Sequence, residues 1–535
     1  MTGKLARSAG LIGLATLASR VLGLVRDVIQ AIYFGTSQAA DAFGVATRIP
    51  TLLRDLFAEG AMSAAFVPTF SRYLKRDGRD AAWRLGSHTI NGLLLITGGL
   101  VLVGILLADP LVRAFAPGFA ADPDKLQLTV LLTRVNMPFL TLIAVAAALM
   151  GMLNGLRRFF VPALSPALYN VLFIAATAAL TPIFMANGIE PAMSLSIGML
   201  LGGLAQVLIQ WPTLRREGYQ HQWILDPKDP GFREILILMG PGSLGVAAAQ
   251  INLLVNTSLA TSYDGAVSGL QYAFRLMYMP IGIFSVSVAT AAIPDLARSA
   301  ADNDHDGMRA TLSWALRLML MLSVPATVGL MVLAGPIVEL IYQRGAFGAD
   351  STALVASALL FYAPGIIGYS IVKIASPAFY SLQDAKTPIM ASLVSIASNL
   401  VLNLALNAVM EYRGLALGTA IASNINAGLL LWFLARRIGG IDARRVAWAF
   451  AKILLASGFM AVAAWQAEAG LRLWLDGHAQ VMASLPEAWR LLTVRLIRVV
   501  GGIGAGMATL ALAAWIMRIE EFRLAIARVR ARIGR

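Results

Sequence analysis

Long apolar segments recur along the whole chain, separated by short polar stretches. A helix needs roughly 20 mostly apolar residues to cross the hydrocarbon core of a bilayer. The second segment contains Pro50 and Gly60, so we predict that it is kinked or partly unwound. The pattern predicts an all-α polytopic membrane protein with about 14 transmembrane helices, within the approximate limits 10–34, 39–71, 90–115, 126–153, 160–185, 191–211, 235–260, 267–294, 312–342, 353–379, 387–409, 415–434, 446–471 and 491–517.

Composition agrees with this class and excludes several others. Of the 535 residues, 58% are hydrophobic and 13% are charged, whereas soluble domains contain about 25% charged residues. Cysteine is absent and the four histidines show no metal-ligand spacing, so we predict neither a disulfide framework nor a metal centre. The net charge of +14 is spread over many short loops. This distribution is typical of membrane topology, and we exclude nucleic acid as a partner.

The loops alternate in basic content. Both termini and every second loop are rich in Lys and Arg, whereas the intervening loops hold few, among them Lys125 and Arg344. Positive residues favour the cytoplasmic side. The alternation predicts a cytoplasmic N-terminus, a cytoplasmic C-terminus and an even number of helices. The first apolar segment is predicted to be a retained helix rather than a signal peptide, because Arg20 and Arg26 follow too closely.

An internal repeat relates two stretches of about 226 residues. Val67-Pro68 aligns with Ile293-Pro294, and Pro162 aligns with Pro388. We therefore predict two parallel six-helix repeats plus two extra C-terminal helices. The corresponding domains are an N-terminal lobe (1–217), a C-terminal lobe (218–440), and helices 13–14 with a basic cytoplasmic tail (441–535). Transporters with such repeats bind substrate between their halves near the midplane.

Cationic side chains inside the predicted membrane segments are the most informative feature. The seven that we single out are Arg20, Arg26, Arg48, Arg54, Arg134, Arg275 and Lys373. Each costs about 2.5–3.5 kcal/mol at the centre of a spanning helix. The first two segments share one motif, an arginine followed after five residues by Arg-Asp, which ends at Arg26-Asp27 and at Arg54-Asp55. The pattern indicates a water-filled cavity that handles an anion.

Internal pairing is the alternative for the first four of these arginines. Four acids could neutralise them: Asp27, Asp41, Asp55 and Glu59. Arg134, Arg275 and Lys373 would still lack an opposite charge. A diphosphate would supply it, and arginine suits a diphosphate because its planar fork binds phosphate oxygens in pairs.

Motifs along the chain resemble those of the MurJ (MviN) family. They are Ser19-Arg20-Val-Leu-Gly-x-x-Arg26-Asp27, Asp41-Ala-Phe, Pro50-x-Leu-Leu-Arg54, Phe57-Ala-Glu59-Gly-Ala, Phe66-Val-Pro68, Ala116-Pro-Gly-Phe119 and Gln383-Asp384-x-Lys386-Thr-Pro388. The resemblance covers essentially the whole chain. It places the chain among the multidrug/oligosaccharidyl-lipid/polysaccharide exporters.

The resemblance implies a flippase of the bacterial cytoplasmic (inner) membrane. Members of the family move lipid II, the undecaprenyl-diphosphate-linked peptidoglycan precursor, from the inner to the outer leaflet. The substrate-binding residues it implies are Arg20, Arg26, Arg54 and Arg275. Our gating or cavity candidates are Asp27, Asp41, Arg48, Glu59 and Ser268. Helices 13–14 resemble the pair that forms a groove for the lipid tail.

The expected mechanism is alternating access without covalent chemistry, so we predict no enzyme activity and no cofactor. A coupling ion or the membrane potential is left open as the driving force. Asp384 resembles one acid of a sodium site in some relatives, but no other ligand of that site is matched. The expected partners are lipid II and membrane lipids, with cell-wall synthesis proteins left open, and the expected state is a monomer.

Alternatives from other classes remain. A flippase for another polyprenyl-diphosphate-linked glycan would use the same phosphate-binding arginines. A cation-coupled drug exporter of the same superfamily should carry an excess of intramembrane acids, whereas this chain carries an excess of bases. A polyprenyl-phosphate glycosyltransferase or phosphatase would need clustered acids or a nucleophilic histidine, which the sequence does not offer.

Overall fold

The computed structural model describes the backbone of residues 2–55, 61–478 and 486–523, and the side chains of these ranges except 2–12, 61–64, 240–249 and 488. This part of the chain is almost wholly helical. Its helices are α1 (Thr2–Phe34), α2 (Gln38–Arg54), α3 (Ala61–Arg76), α4 (Gly78–Leu106), α5 (Ala108–Phe115), α6 (Pro123–Asn136), α7 (Phe139–Gly155), α8 (Phe160–Ala186), α9 (Met193–Arg216), α10 (Pro230–Ala260), α11 (Ala266–Pro280), α12 (Val286–Ala301), α13 (His305–Val332), α14 (Ala334–Tyr342), α15 (Ala349–Tyr362), α16 (Gly365–Ser381), α17 (Lys386–Met410), α18 (Tyr412–Ile438), α19 (Ala443–Gly477) and α20 (Glu487–Ile516).

The order of helices confirms the internal repeat. Helices α1–α9 and α10–α18 follow each other with matching lengths, including one short helix of 8 or 9 residues in each copy, α5 and α14. The copies are separated by about 226 residues in sequence, since α6 begins at Pro123 and α15 begins at Ala349. Each copy is also broken at an equivalent proline, Pro138 or Pro364. Helices α19 and α20 follow the second copy, as predicted.

Ten helical segments of the described part are long and apolar enough to span a membrane, counting α6 with α7 and α11 with α12 as one each, or eleven if the bent pair α15–α16 is one span. They correspond to eleven of the predicted segments. The other three segments correspond to α1, to α2 with α3, and to α10. The total of fourteen spans stays a prediction. Pro50, where we expected a kink, lies inside α2, and Gly60 lies outside the described residues.

Contacts divide the chain into two compact units. The first contains residues 1–268 and 344–347, and the second contains 269–343 and 348–535. In the first unit, Phe66, Phe70 and Trp83 form part of a buried aromatic core. In the second unit, one core joins α12, α13, α16 and α18, and another packs α13 against α19 and α20. The three-domain division drawn from the sequence remains a prediction.

Candidate functional site

The two repeated Arg-Asp motifs adopt the same local geometry. Arg26 donates Nε and Nη2 to Oδ1 of Asp27, at 3.2 and 2.9 Å. Arg54 donates the same two nitrogens to Oδ1 of Asp55, at 2.9 and 2.7 Å. Each arginine is therefore neutralised by its neighbour in sequence. Because a guanidinium carries five N–H donors, three donors of each arginine are not used in its ion pair.

Other helices of the first unit position these two pairs. Gln250 of α10 donates to Oδ2 of Asp55 at 2.7 Å. The guanidinium of Arg26 lies 5.9 Å from the ring centroid of Tyr169 and 5.6 Å from that of Phe173, both in α8. Cations are attracted to the faces of aromatic rings. The arginines are thus held by acids, an amide and aromatic rings.

The remaining residues of these motifs occupy different environments. Arg20 is exposed, Arg48 is half-buried, and both have partners in the structure. Asp27 is buried. Glu59 lies outside the described residues, so its gating role stays a prediction.

Arg275 belongs to the second unit and is exposed on α11. Its neighbour Phe274 lies in an aromatic cluster, with ring centroids 5.7 Å from Tyr278, 5.6 Å from Tyr362 and 6.3 Å from Tyr369. The residue before Arg275 is therefore held by packing against three tyrosine rings.

Two further cations of the predicted set have simpler surroundings. Arg134 and Lys373 are exposed and form no ion pair within the part of the chain that the structure describes. For these two residues, the structure agrees with the excess of positive charge that the sequence shows.

A second site centres on Asp41, which is 0% exposed. Its carboxylate accepts four hydrogen bonds: from Lys125 Nζ at 3.1 Å, Gly265 N at 2.8 Å, Ser268 N at 2.9 Å and Ser268 Oγ at 2.8 Å. The two amides belong to the start of α11, where N–H groups have no partner within their own helix. Asp41 of α2 therefore caps α11 from another helix, and the structure brings together two of our gating candidates, Asp41 and Ser268.

Lys125 corrects the sequence interpretation, which placed it in an outer loop. Asp122 caps α6 by accepting from the backbone N–H of Lys125 at 3.1 Å. The side chain then turns inward, where it is 3% exposed. Its Nζ also contacts Asp264 Oδ1 at 3.2 Å and lies 4.4 Å from the ring centroid of Phe119. We call Asp41, Lys125, Asp264, Gly265 and Ser268 the Asp41 cluster.

Glycines allow two loops of the first unit to approach other backbone segments closely. Gly265 has φ +72°, and a Cβ added there would lie 2.7 Å from the carbonyl oxygen of Thr36. Gly345 has φ +59°, and its added Cβ would clash with the carbonyl oxygen of Ile32. Only glycine adopts this backbone without strain and leaves room for these carbonyls.

A third charged group, in the second unit, was not predicted. Arg495 donates Nε to Glu339 at 3.1 Å, and Arg498 donates Nη1 to the same carboxylate at 3.1 Å. Arg498 also donates Nε to Glu468 at 2.8 Å. The two arginines of α20 are therefore neutralised by acids of α14 and α19. This network fixes the last two helices to their own unit.

Asp384 acts as a helix cap in the structure. It accepts from the backbone N–H of Thr387 at 3.0 Å and from its hydroxyl at 2.7 Å. The hydroxyl bond lowers the pKa of Asp384 below its ordinary value. Among the described residues, no group of three or more His, Asp or Glu side chains is placed to hold a metal ion.

A repeated helical fold with cationic groups on its apolar helices defines a multi-pass membrane transporter. The same fold occurs in a solved structure described as the inward-facing conformation of a multidrug resistance MATE family transporter. It aligns with a TM-score of 0.66 and 16% identity, over 79% of this chain and 94% of that one.

Closer similarities identify the family. The family model described as lipid II flippase MurJ matches residues 30–480, and the chain belongs to this family. A Vibrio cholerae protein named probable lipid II flippase MurJ is 33% identical over 95% of both chains. A Haemophilus influenzae protein of the same name is 36% identical over 86% of this chain and 92% of that protein. A solved structure of lipid II flippase MurJ in an inward closed conformation aligns with a TM-score of 0.75 and 28% identity, over 95% of this chain and 99% of that one.

Proposed function

We propose that this protein is a flippase that moves lipid II from the inner to the outer leaflet of the bacterial cytoplasmic membrane. The observation that carries the proposal is the pair of Arg-Asp motifs, in which the carboxylate of the next residue holds the guanidinium of each arginine in place. The names of its relatives support the same substrate.

The chemistry of the headgroup fits these arginines. A diphosphate offers several oxygens in a compact space, and charge-assisted bonds from guanidinium groups to phosphate are among the strongest hydrogen bonds in proteins. Arg26 and Arg54 enter this interaction oriented by Asp27 and Asp55. We assign Arg20 and Arg275 to the same role. The acids beside Arg26 and Arg54 offset part of the positive charge of the empty site.

Alternating access completes the proposal. The N- and C-termini lie in the cytoplasm, and the headgroup crosses while its lipid tail stays in the bilayer along α19 and α20. We assign the Asp41 cluster to the gate on the outer side, with Ser268 and Gly265 as the donors released when the gate opens. The membrane potential, worth about 2.3 kcal/mol per charge per 100 mV, contributes to resetting a site that is cationic when empty. No covalent step is involved.

Complementation tests this function. Bacteria whose own lipid II flippase can be shut off would express the wild-type protein, and the accessibility of lipid II at the outer leaflet would be measured. We expect wild type to restore it. Arg54→Ala should reduce it by more than about tenfold, because charge-assisted bonds contribute about 1.5–3 kcal/mol each. Arg54→Lys should recover little, because lysine cannot form the paired bonds.

A surface arginine provides the matched control. Arg113 is exposed and pairs with Asp109 at 2.8 Å, so Arg113→Ala should retain wild-type activity. Membrane levels of each variant would be compared by immunoblot. Full activity of Arg54→Ala would contradict the diphosphate-binding role. Failure of a stably expressed wild-type protein would contradict lipid II as the substrate.

A further inference from the structure

A cleft lies at the start of α10, away from the arginine motifs and the Asp41 cluster. Its volume is about 370 Å³. The lining residues are Lys228, Pro230, Arg233, Glu234, Ile237 and Leu238. Two cations and two large apolar side chains thus share one small concave surface.

The acids around the cleft are already engaged. Asp226 accepts from the backbone N–H of Lys228 at 2.9 Å. Asp229 caps α10 by accepting from the N–H of Phe232 at 2.8 Å. Glu234 is paired with Arg72. Glu234 is the only acid among the described residues that line the cleft, and its charge is paired with a cation that does not line the cleft.

The two cations of the cleft, unlike its glutamate, form no ion pair within the described part of the chain. The side chains of Lys228 and Arg233 are exposed and form no ion pair with any residue that the structure describes. Two positive charges that form no ion pair among the described residues therefore line the same concave surface.

The aliphatic side chains of the cleft are exposed, as they are on a helix surface that faces lipid. Ile237 is 62% exposed and Leu238 is 50% exposed. They follow Arg233 by about one helical turn, which is about 5.4 Å along the axis. Cations one turn from exposed aliphatic side chains are typical of the boundary between headgroups and acyl chains. The charge distribution of the loops predicts that this boundary is the cytoplasmic one.

We propose that this cleft binds the headgroup phosphate of an anionic glycerophospholipid from the same leaflet. Lys228 and Arg233 contact the phosphate, and the first part of an acyl chain lies on Ile237 and Leu238. A soluble anion would use the cations but not the aliphatic surface, whereas a phospholipid uses both. Basic pockets at this depth of a membrane protein are suited to anionic headgroups.

Native mass spectrometry of the full-length detergent-solubilised protein tests the proposal. Phosphatidylglycerol would be titrated, with phosphatidylcholine as the zwitterionic comparison, and the fraction of protein with bound lipid would be measured. The site variant is Lys228→Gln/Arg233→Gln. We expect wild type to prefer phosphatidylglycerol. The site variant should bind it about 30-fold more weakly, because each cation near the surface contributes about fivefold.

The control variant removes the same charge elsewhere. Arg215→Gln/Arg216→Gln changes two exposed arginines at the end of α9, and this variant should bind phosphatidylglycerol as wild type does. Equal weakening in both variants would overturn the proposal, because it would indicate a general charge effect. A wild type without preference for phosphatidylglycerol would also overturn it. Unchanged thermal unfolding of the site variant would establish that it is folded.

The second arm distinguishes the phospholipid from the proposed transport substrate, which also carries phosphate. Undecaprenyl diphosphate would be added to protein that is saturated with phosphatidylglycerol. We expect it to bind in addition, and its binding should be insensitive to Lys228→Gln/Arg233→Gln. Displacement of phosphatidylglycerol together with sensitivity to these substitutions would assign the cleft to the substrate and overturn the proposal.

Discussion

Replacing Lys125 by methionine would leave the carboxylate of Asp41 buried without the cation that contacts it. Asp41 is 0% exposed and Lys125 is 3% exposed, so water cannot replace the lost charge without rearrangement. Removing one partner of a buried ion pair costs about 3–5 kcal/mol. Three hydrogen bonds from Gly265 and Ser268 remain. Because these bonds still stabilise the negative charge, we expect an effect at the lower end of that range. Lys125→Met should lower the free energy of unfolding by about 3 kcal/mol.

Replacing the other partner of the pair, by Asp41→Asn, should lower the free energy of unfolding by a similar amount. Lys125 would keep its contact with Asp264 at 3.2 Å, but the Asp264 side chain is 90% exposed. An exposed partner is screened and stabilises the lysine little. The double variant Lys125→Met/Asp41→Asn removes both charges together. Its free energy of unfolding should be about 2 kcal/mol higher than the sum of the two single effects predicts. An interaction energy of this size lies within the range measured for residues in contact.

Reversible unfolding in mixed micelles with increasing sodium dodecyl sulfate would give the four free energies of this cycle. Lys75 lies in the last turn of α3 and is exposed, so Lys75→Met controls for the loss of one lysine and should have almost no effect. Single effects that simply add in the double variant would refute the conclusion that Asp41 and Lys125 stabilise each other.

Three further substitutions test separate features, each by the same unfolding measurement. Gly265→Ala should destabilise the protein clearly more than Gly188→Ala: both have positive φ, which costs about 1–2 kcal/mol for alanine, but only the first places its Cβ against a backbone carbonyl. Arg317→Met should cost about 3–5 kcal/mol because it leaves the buried carboxylate of Glu521 unpaired. Arg445 is exposed and pairs with Glu520, an exposed acid that Arg317 also contacts, so Arg445→Met should cost at most about 1 kcal/mol. Asp384→Ala should cost about 1 kcal/mol at neutral pH, as for other lost caps. The folded-state pKa of Asp384 is lowered, so its bonds stabilise the protein above the ordinary pKa and are lost as the pH falls through the lowered value; the difference between wild type and variant should disappear in acid.

The architecture could be predicted because it depends on signals that are local in the sequence. The apolar segments are long, and the repeat preserves prolines at equivalent positions, as Pro162 and Pro388 show. The breaks at Pro138 and Pro364 were not predicted. Proline inside an apolar run gives the same pattern whether the helix bends or ends, and the packing of the surrounding helices decides between these outcomes.

The arginine motifs were also found from the sequence, since an arginine in an apolar segment is conspicuous. Their partners were harder to predict. Lys125 lies 84 residues from Asp41, and a lysine near the end of a helix usually indicates a solvated loop. Arg495 and Arg498 lie in the first half of α20 and are neutralised by acids of two other helices. Such contacts depend on tertiary packing and leave no periodic signal in the chain.

Flipping by the purified protein tests the central claim most directly. Vesicles would contain wild type or Arg54→Ala with fluorescent lipid II, and a membrane-impermeant quencher would report the rate at which lipid II reaches the outer leaflet. Our account predicts rapid movement with wild type and the rate of protein-free vesicles with Arg54→Ala. Wild-type vesicles that behave like protein-free vesicles, or equal rates for wild type and Arg54→Ala, would contradict it.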